Sequence, residues 1–387
     1  MRIADRIGRV DPSGIRRFFE LAEEYDDIIS LGVGEPDFTV PWAARAAAID
    51  SLEQGRTAYT TNRGLRSLRE AIAGHVADRY DLTYDPAEGV LVTTGVSEGL
   101  DLAIRALVNP GESVGVVEPA YVSYTPGVVF ADATPIRIKT SENDEFKLTV
   151  EALEAAGAEA ATVLLLCYPN NPTGAIMTRS DLEPIARFCR EHDVTVISDE
   201  IYADLTYTSE HVSIASLPGM AERTIVLNGF SKAYAMTGLR LGYAMGPEDG
   251  IAAMNRIHQY TMLSSPTTAQ YAAIEALDSC WSEVIEMRRD YDRRRRFVLA
   301  RFSEMGLSCF EAEGAFYAFP ACPSDDDEAF AKDLLTEQRV AVVPGSAFGH
   351  GGRGHVRVSY ATGFSELREA MDRIEAFVRP RISGRVR

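Results

Sequence analysis

One lysine stands out among the residues of this chain that could do chemistry. Lysine and arginine number 39 together, yet the only lysines are at positions 139, 147, 232 and 332. Lys232 lies in the segment NGFSKAYAMTGLRLGY, between Phe230 and Tyr234, in a run with little charge. Arginine keeps its proton at neutral pH, whereas a lysine in apolar surroundings can lose its proton and act as a nucleophile. The placement of Lys232 therefore indicates a reactive amine.

Several other polar residues share one kind of position, just after runs of β-type sequence. Together with the lysine they are Ser97, Asn171, Asp199, Tyr202, Ser231, Lys232 and Arg240. Because the carboxyl ends of parallel strands meet at one edge of a sheet, we expect these residues to converge on one crevice. The crevice would offer an amine, a carboxylate, a phenol, an amide and an anion site.

Such a set suits a pyridine aldehyde cofactor. A desolvated lysine amine can attach to an aldehyde. A pyridine ring that accepts electrons needs a carboxylate to keep its nitrogen protonated, and Asp199 is the candidate. Asn171 and Tyr202 could serve the ring hydroxyl, and Tyr121 in EPAYVSY is suited to cover the ring face. Taken singly, Asp199 could equally cap a helix, Asn171 could form a turn, and the tyrosines could be packing residues.

A phosphate group on the same cofactor would need a guanidinium and hydroxyl or amide donors. Arg240, Ser231 and the helix start at residues 96–98 could provide them. The residues thus predict pyridoxal phosphate (PLP) chemistry. The GxGxxG pattern at 349–354 is no alternative nucleotide site, because a β-type run follows it where a helix is required, and we expect a flexible loop there. The six histidines show no metal-ligand spacing, so no metal is expected.

Apolar β-rich runs alternate with amphipathic helical patterns over most of the chain. The runs are VLVTTG, SVGVVEP, TPIRIKT, ATVLLLCYP, VTVISDE and TIVLNGF. Helical patterns such as LRSLREAIAGHVADRY, SEGLDLAIRALV and LEPIARFCREH lie near them. This alternation predicts an α/β fold with a mainly parallel sheet sandwiched by helices.

The character of the sequence changes near residue 284, where a long charged helix begins. The β-type runs GAFYAFP, VAVVPGS and HVRVSYA and the closing helical pattern ELREAMDRIEAFV predict a smaller α+β unit. We expect residues 41–284 to form the large domain, and residues 1–40 and 285–387 to form an N-terminal lid with the small domain. Ile15, Phe18 and Phe19 lie on one stripe of a predicted helix in that lid.

Composition narrows the possible partners and compartments. A net charge of −18 argues against nucleic acid and anionic membranes as partners. No apolar run approaches the roughly 20 residues of a membrane span, and the charged N-terminus has no signal-peptide core. Five scattered cysteines, none in a CxxC pair, are typical of a reduced cytoplasmic protein.

Six ordered motifs resemble those of a known family over nearly the whole chain. They are SLGVGEPDF, AYTTNRGLRSLREAI, YPNNPTGA, SDEIYADL, NGFSKAYAMTGLRLGY and GHVRVSYAT. The sequence resembles fold-type I PLP enzymes, specifically class I/II aminotransferases of the gamma subgroup. The resemblance implies that Lys232 binds PLP covalently and then moves the α-proton, with Asp199 on the ring nitrogen and Tyr202 on the ring hydroxyl.

The resemblance also implies roles that the residues alone do not suggest. Val96 would join the phosphate-binding residues, and Tyr59 would reach the phosphate of the neighbouring subunit, which makes the active unit a homodimer. Arg357 would bind the substrate α-carboxylate through its two guanidinium nitrogens. Gly34 would let the backbone approach the substrate, and the Ile15–Phe19 stripe would close over the site.

The predicted reaction is reversible transfer of an amino group from an L-amino acid to a 2-oxo acid, in two half reactions. Aromatic donors with 2-oxoglutarate as acceptor are favoured by similarity to archaeal aromatic aminotransferases. Ser97 stands where some relatives that prefer aspartate have a basic residue, yet aspartate or broad specificity stays open. A carbon–sulfur lyase on the same scaffold is a further alternative. A regulatory binding module would need a DNA-binding domain, for which the residues before LGVGEP leave no room.

Overall fold

The computed structural model describes residues 1–12, 14, 25 and 27–383. The strands are β1 (Ile29–Ser30), β2 (Val90–Thr93), β3 (Ser113–Glu118), β4 (Thr134–Lys139), β5 (Val163–Cys167), β6 (Thr195–Asp199), β7 (Thr224–Gly229), β8 (Gly242–Met245), β9 (Tyr317–Ala318), β10 (Val340–Ala341), β11 (Val343–Pro344) and β12 (Val356–Ser359). The six strands predicted for the large sheet are all present. The predicted Ile15–Phe19 stripe lies outside the described residues.

The α-helices of the described part of the chain cover both faces of the large sheet and form much of the remaining fold. They are α1 (Trp42–Glu53), α2 (Arg66–Tyr80), α3 (Gly95–Leu107), α4 (Tyr124–Phe130), α5 (Val150–Ala155), α6 (Arg179–Glu191), α7 (Glu248–Thr261), α8 (Thr267–Ser279), α9 (Trp281–Met305), α10 (Asp327–Gln338) and α11 (Phe364–Ser383). No helix among the described residues is both long enough and apolar enough to cross a membrane.

The seven-stranded sheet has the order β2-β8-β7-β6-β5-β3-β4. Every pairing is parallel except the two made by β8, which runs antiparallel to β2 and β7. The predicted α/β fold with a mainly parallel sheet is confirmed. Strand β5 shows why its sequence is continuously apolar: Leu164 and Leu166 pack into the core on one face, and Leu165 packs into the core on the other.

The antiparallel strand β8 was not predicted, and it has a direct effect on the site. Strand β7 ends at Gly229 and β8 begins at Gly242, directly opposite in register. The chain leaves the sheet and returns to it without a crossover helix, and the Phe230 N–H donates to the Leu241 carbonyl at 3.2 Å. Residues 230–241 therefore form one closed loop at the sheet edge where β5 and β6 also end.

Two small sheets lie outside the large one. Strands β11, β12 and β9 form an antiparallel sheet, and β1 pairs in parallel with β10. The pairing of β1 with β10 joins the N-terminal segment to the C-terminal part of the chain. Helix α9 runs without interruption through residue 284, so the position of the boundary stays a prediction.

Candidate active site

A cavity of about 860 Å³ opens at the carboxyl ends of the parallel strands. The sequence-predicted site residues that line it are Gly34, Val96, Ser97, Tyr121, Asn171, Asp199, Tyr202, Ser231, Lys232, Arg240 and Arg357. Tyr59 alone of the predicted set is not among the lining residues, and its side chain is 79% exposed. The structure therefore brings together residues that are separated by more than 300 positions in the sequence.

Lys232 presents its amine to the cavity from the loop between β7 and β8. Its Nζ donates to the Gly34 carbonyl at 2.6 Å. Burial, with the positive charge of Arg357 as the next cause, lowers the pKa of the Lys232 amine from 10.5 to about 8. An amine with this pKa is partly neutral near physiological pH, and the neutral amine is the nucleophilic form.

Asp199 is the last residue of β6, and its carboxylate is buried. Oδ2 accepts a hydrogen bond from the Tyr124 hydroxyl at 2.8 Å, and Oδ1 accepts one from the Ile201 N–H at 3.2 Å. Burial raises the pKa of the Asp199 carboxyl from 3.8 to about 6, although both hydrogen bonds act in the opposite direction. A carboxylate kept in an apolar site favours a cationic N–H partner on a ligand.

The start of α3 and the guanidinium of Arg240 lie together at another part of the cavity. Gly95 has a φ of +73°, and a Cβ on it would lie 2.6 Å from Arg240 Nη2. A Cβ on Gly242 would lie 2.7 Å from the Val96 nitrogen. Glycine at both positions thus lets the guanidinium and β8 approach the first turn of the helix, where free N–H groups attract anions.

Arg357 reaches the cavity from β12 of the small sheet and is almost fully buried. Its Nη1 donates to Asn171 Oδ1 at 2.8 Å and its Nη2 to the Gly32 carbonyl at 2.7 Å, while Nε has no partner in the described part of the chain. The guanidinium carbon lies 4.6 Å from the Tyr317 ring centroid and 4.9 Å from that of Phe348. The two rings hold the planar fork in place, and such a fork matches a carboxylate.

Gly34 and two tyrosines form the wall between the amine and the guanidinium. A Cβ on Gly34 would lie 2.5 Å from the Tyr317 hydroxyl, so no other residue fits here without displacement. The Tyr202 and Tyr317 hydroxyls are hydrogen-bonded at 2.8 Å. The contact with Tyr317 thus accounts for a glycine at position 34, and the approach of the Gly34 backbone to a substrate stays a prediction.

Tyr124 and Tyr317 are among the lining residues that sequence reasoning missed. Tyr124 lies three positions after Tyr121 in EPAYVSY, and the spacing of the two tyrosines was the available signal. Tyr317 lies in GAFYAFP, where an aromatic in a β-type run looks like core, and no sequence signal separates the two roles. The GxGxxG segment is also packed more tightly than predicted, since a Cβ on Gly349 would lie 2.4 Å from the Glu118 carboxyl carbon.

The cavity fits PLP by its donor set. It contains an amine able to react with an aldehyde, a buried carboxylate for a ring nitrogen, and an anion site for a phosphate. The space between Gly95 and the Arg240 guanidinium is open only because glycine has no side chain. Arg357 lies outside these three groups and remains available for a second anion.

A mainly parallel sheet whose strand ends deliver these groups to one cavity defines a fold-type I aminotransferase. The family model "Aminotransferase class I and II" matches residues 26–374, and the chain belongs to that family. It is therefore an aminotransferase, and the predicted enzyme class is confirmed.

Individual relatives are similar over nearly the full length of both chains. An aspartate aminotransferase of Pyrococcus abyssi is 44% identical, covering 98% of this chain and 99% of its own. Aromatic-amino-acid aminotransferase 2 of Thermococcus litoralis is 43% identical, covering 97% and 98%. The crystal structure of an aromatic aminotransferase from Pyrococcus horikoshii is 44% identical, with a TM-score of 0.90, covering 95% of this chain and 99% of its own.

Proposed function

We propose that this enzyme uses PLP to move the amino group of an L-amino acid to a 2-oxo acid such as 2-oxoglutarate, by a ping-pong mechanism. The observation that carries the proposal is the convergence of Lys232, Asp199, Arg240 and Arg357 on one cavity. When bound, PLP supplies an aldehyde and an electron-withdrawing ring. Side chains of the protein would bind the cofactor and the substrate and would transfer the protons.

Lys232 and Asp199 act on protons. The neutral amine of Lys232 would hold PLP through the cofactor's aldehyde group, and the same amine, when free, would accept the proton from the substrate α-carbon. The buried Asp199 carboxylate would accept a hydrogen bond from the ring N–H of the cofactor, and the Tyr124 hydroxyl fixes the orientation of that carboxylate. Tyr202 and Asn171 would contact the ring hydroxyl, while Tyr121 would cover one face of the ring.

Arg240, Ser231, Val96 and Ser97 would bind the phosphate, and Arg357 would bind the substrate α-carboxylate. The carboxylate would take the two Nη donors that now reach Asn171 and Gly32. Since this fork lies beside Gly34, whose carbonyl faces Lys232, the α-carbon of a bound amino acid comes close to the lysine amine. The guanidinium that would bind the carboxylate and the amine that would move the proton thus both lie near the expected position of the substrate α-carbon.

For the donor side chain we favour an aromatic group. Among the described lining residues the cations are Lys232, Arg240 and Arg357, and each already has a partner in the scheme. The apolar surface that Tyr121, Val33 and Tyr317 offer is what favours an aromatic donor. Aspartate or broad specificity is the alternative, in keeping with the name of the Pyrococcus abyssi relative.

The proposal includes a homodimer in which Tyr59 completes the neighbouring site. Tyr59 is 79% exposed, and further exposed apolar side chains occur on α1 and in the last turn of α7, including Trp42 at 67% and Tyr260 at 85%. The segment that follows Tyr59 contacts the segment that follows α7, because Asn62 Nδ2 donates to the Leu263 carbonyl at 2.7 Å. Sedimentation of the purified protein is expected to give a dimer. If the wild-type protein sediments as a monomer, there is no neighbouring site for Tyr59 to complete, and this part of the proposal is wrong.

We also place the enzyme in the cytoplasm, where its five free cysteines would stay reduced.

The experiment that tests the function is an absorbance spectrum of the PLP-treated protein before and after addition of an L-amino acid. We expect a visible band that depends on Lys232 and that bleaches with phenylalanine or tyrosine. Bleaching by aspartate or glutamate alone would keep the reaction and change the substrate. Product release without any 2-oxo acid would indicate a carbon–sulfur lyase, and a protein with no visible band would refute the proposal.

A further inference from the structure

The first turn of α3 carries a carboxylate next to the anion site. Glu98 lies one residue after Ser97, yet it is not among the residues that line the cavity. A free carboxylate here would repel a bound phosphate and compete for the N–H groups of the helix start. Where its two oxygens are held therefore matters for the anion site.

Both oxygens of Glu98 are held away from the cavity. Oε2 accepts a hydrogen bond from the Thr94 N–H at 2.5 Å, which ties the side chain to the residue before the helix. Oε1 lies 2.7 Å from Nδ1 of His258, a residue in the last turn of α7. The side chain of His258 is 0% exposed and that of Glu98 is 12% exposed, so water competes little for this contact.

The surroundings of His258 show which ring nitrogen is in use. Nε2 is buried and has no hydrogen-bond partner among the residues that the structure describes. Since a carboxylate only accepts, Nδ1 must carry the hydrogen that is donated to Glu98. The imidazole thus holds this carboxylate through the hydrogen bond from Nδ1. A hydrogen-bond donor at the position of Nδ1 is therefore what the side chain at 258 must provide to hold Glu98.

We propose that His258 is a positioning residue for the phosphate site, resting on the proposed use of PLP. By holding Glu98 against the Thr94 N–H, it keeps a negative charge turned away from the cavity. The N–H groups of Val96 and Ser97 then remain free for the phosphate, and the turn before Gly95 stays fixed. His258 touches neither cofactor nor substrate, and it acts through Glu98 alone.

Two amide variants test this with matched chemistry. In His258→Asn the amide nitrogen occupies roughly the place of Nδ1, whereas in His258→Gln it reaches toward Nε2. Cofactor-free protein is titrated with PLP and, separately, with pyridoxal, which lacks the phosphate. We expect His258→Gln to weaken PLP binding by about 10- to 100-fold, as for loss of a hydrogen bond to a charged group, with pyridoxal binding within about twofold of wild type.

His258→Asn is expected to retain PLP affinity within about threefold, because its donor replaces Nδ1. Adding Glu98→Gln to His258→Gln removes the freed charge and is expected to recover much of the loss. Equal weakening of PLP and pyridoxal, or no change in PLP binding, would overturn the inference. If His258→Gln fails to fold, a His258→Asn variant with weakened PLP binding and normal pyridoxal binding overturns it as well. Failure of the wild-type protein to bind PLP would instead refute the proposed function.

Discussion

Replacing Asp199 by asparagine tests whether a charged group is kept in the core at a cost to the fold. Burial raises the pKa of this carboxyl from 3.8 to about 6. Between these two values the folded protein binds more protons than the unfolded chain, so the stability of the wild-type protein falls as pH rises from about 4 to about 6. At about 1.4 kcal/mol per pKa unit, the cost above pH 7 is at most about 3 kcal/mol.

Asparagine can keep the local contacts without the charge. Its Oδ1 can accept the Ile201 N–H, and the Tyr124 hydroxyl can rotate to accept from Nδ2. We therefore expect cofactor-free Asp199→Asn to be more stable than wild type by about 2–3 kcal/mol at pH 8 and by about 1.5 kcal/mol at pH 5. It should lose most of its transaminase activity, because an amide cannot keep a ring nitrogen protonated.

The assay is urea unfolding of both cofactor-free proteins at pH 8, 6 and 5. Asp101→Asn is the matched control, since Asp101 is half exposed in an i,i+4 pair with Arg105, and its effect should stay within about 0.5 kcal/mol. A variant less stable than wild type at pH 8, or a stability gain that does not shrink toward pH 5, would refute the reasoning.

Three further changes have defined outcomes. The pKa of about 8 for Lys232 predicts that PLP capture by the cofactor-free protein slows about tenfold per pH unit below pH 8, and a rate independent of pH between 6 and 8 would contradict this. Arg357→Lys keeps the charge but loses the fork, so kcat/KM should fall about 10- to 100-fold in steady-state assays, with exposed Arg66→Lys as the unaffected control. In Gly34→Ala the Cβ would lie 2.5 Å from the Tyr317 hydroxyl, so KM should rise while the visible PLP band persists; an unchanged KM would count against a tight wall.

Much of the fold and site could be predicted because strand ends carry the chemistry. Asp199 ends β6, and Lys232 and Arg240 follow β7, so the alternation of apolar runs already placed them at one edge. Strand β8 escaped prediction because GYAM is short and sits inside a motif rich in turn residues. Its antiparallel direction depends on pairings with β2 and β7 that local pattern does not encode.

Contacts between distant segments were beyond the reach of the sequence. His258 and Glu98 are 160 positions apart, and each alone is typical of an ordinary helix. Arg357 could be assigned a carboxylate only by resemblance, because nothing in HVRVSYA shows that Tyr317 and Phe348 will enclose its guanidinium. Tertiary packing, rather than local preference, gives these residues their roles.

The closed loop between β7 and β8 has a consequence for partial opening of the native protein. Ser231, Lys232 and Arg240 all belong to this one segment. Its first end is fixed in β7 and its second end in β8, and these two strands pair with each other. Partial opening of the native state occurs in contiguous cooperative units. The backbone amides of this loop, which carries the side chains for the aldehyde and part of those for the phosphate, should therefore gain or lose protection from hydrogen exchange together. Cofactor loss should then be a single event rather than a stepwise one.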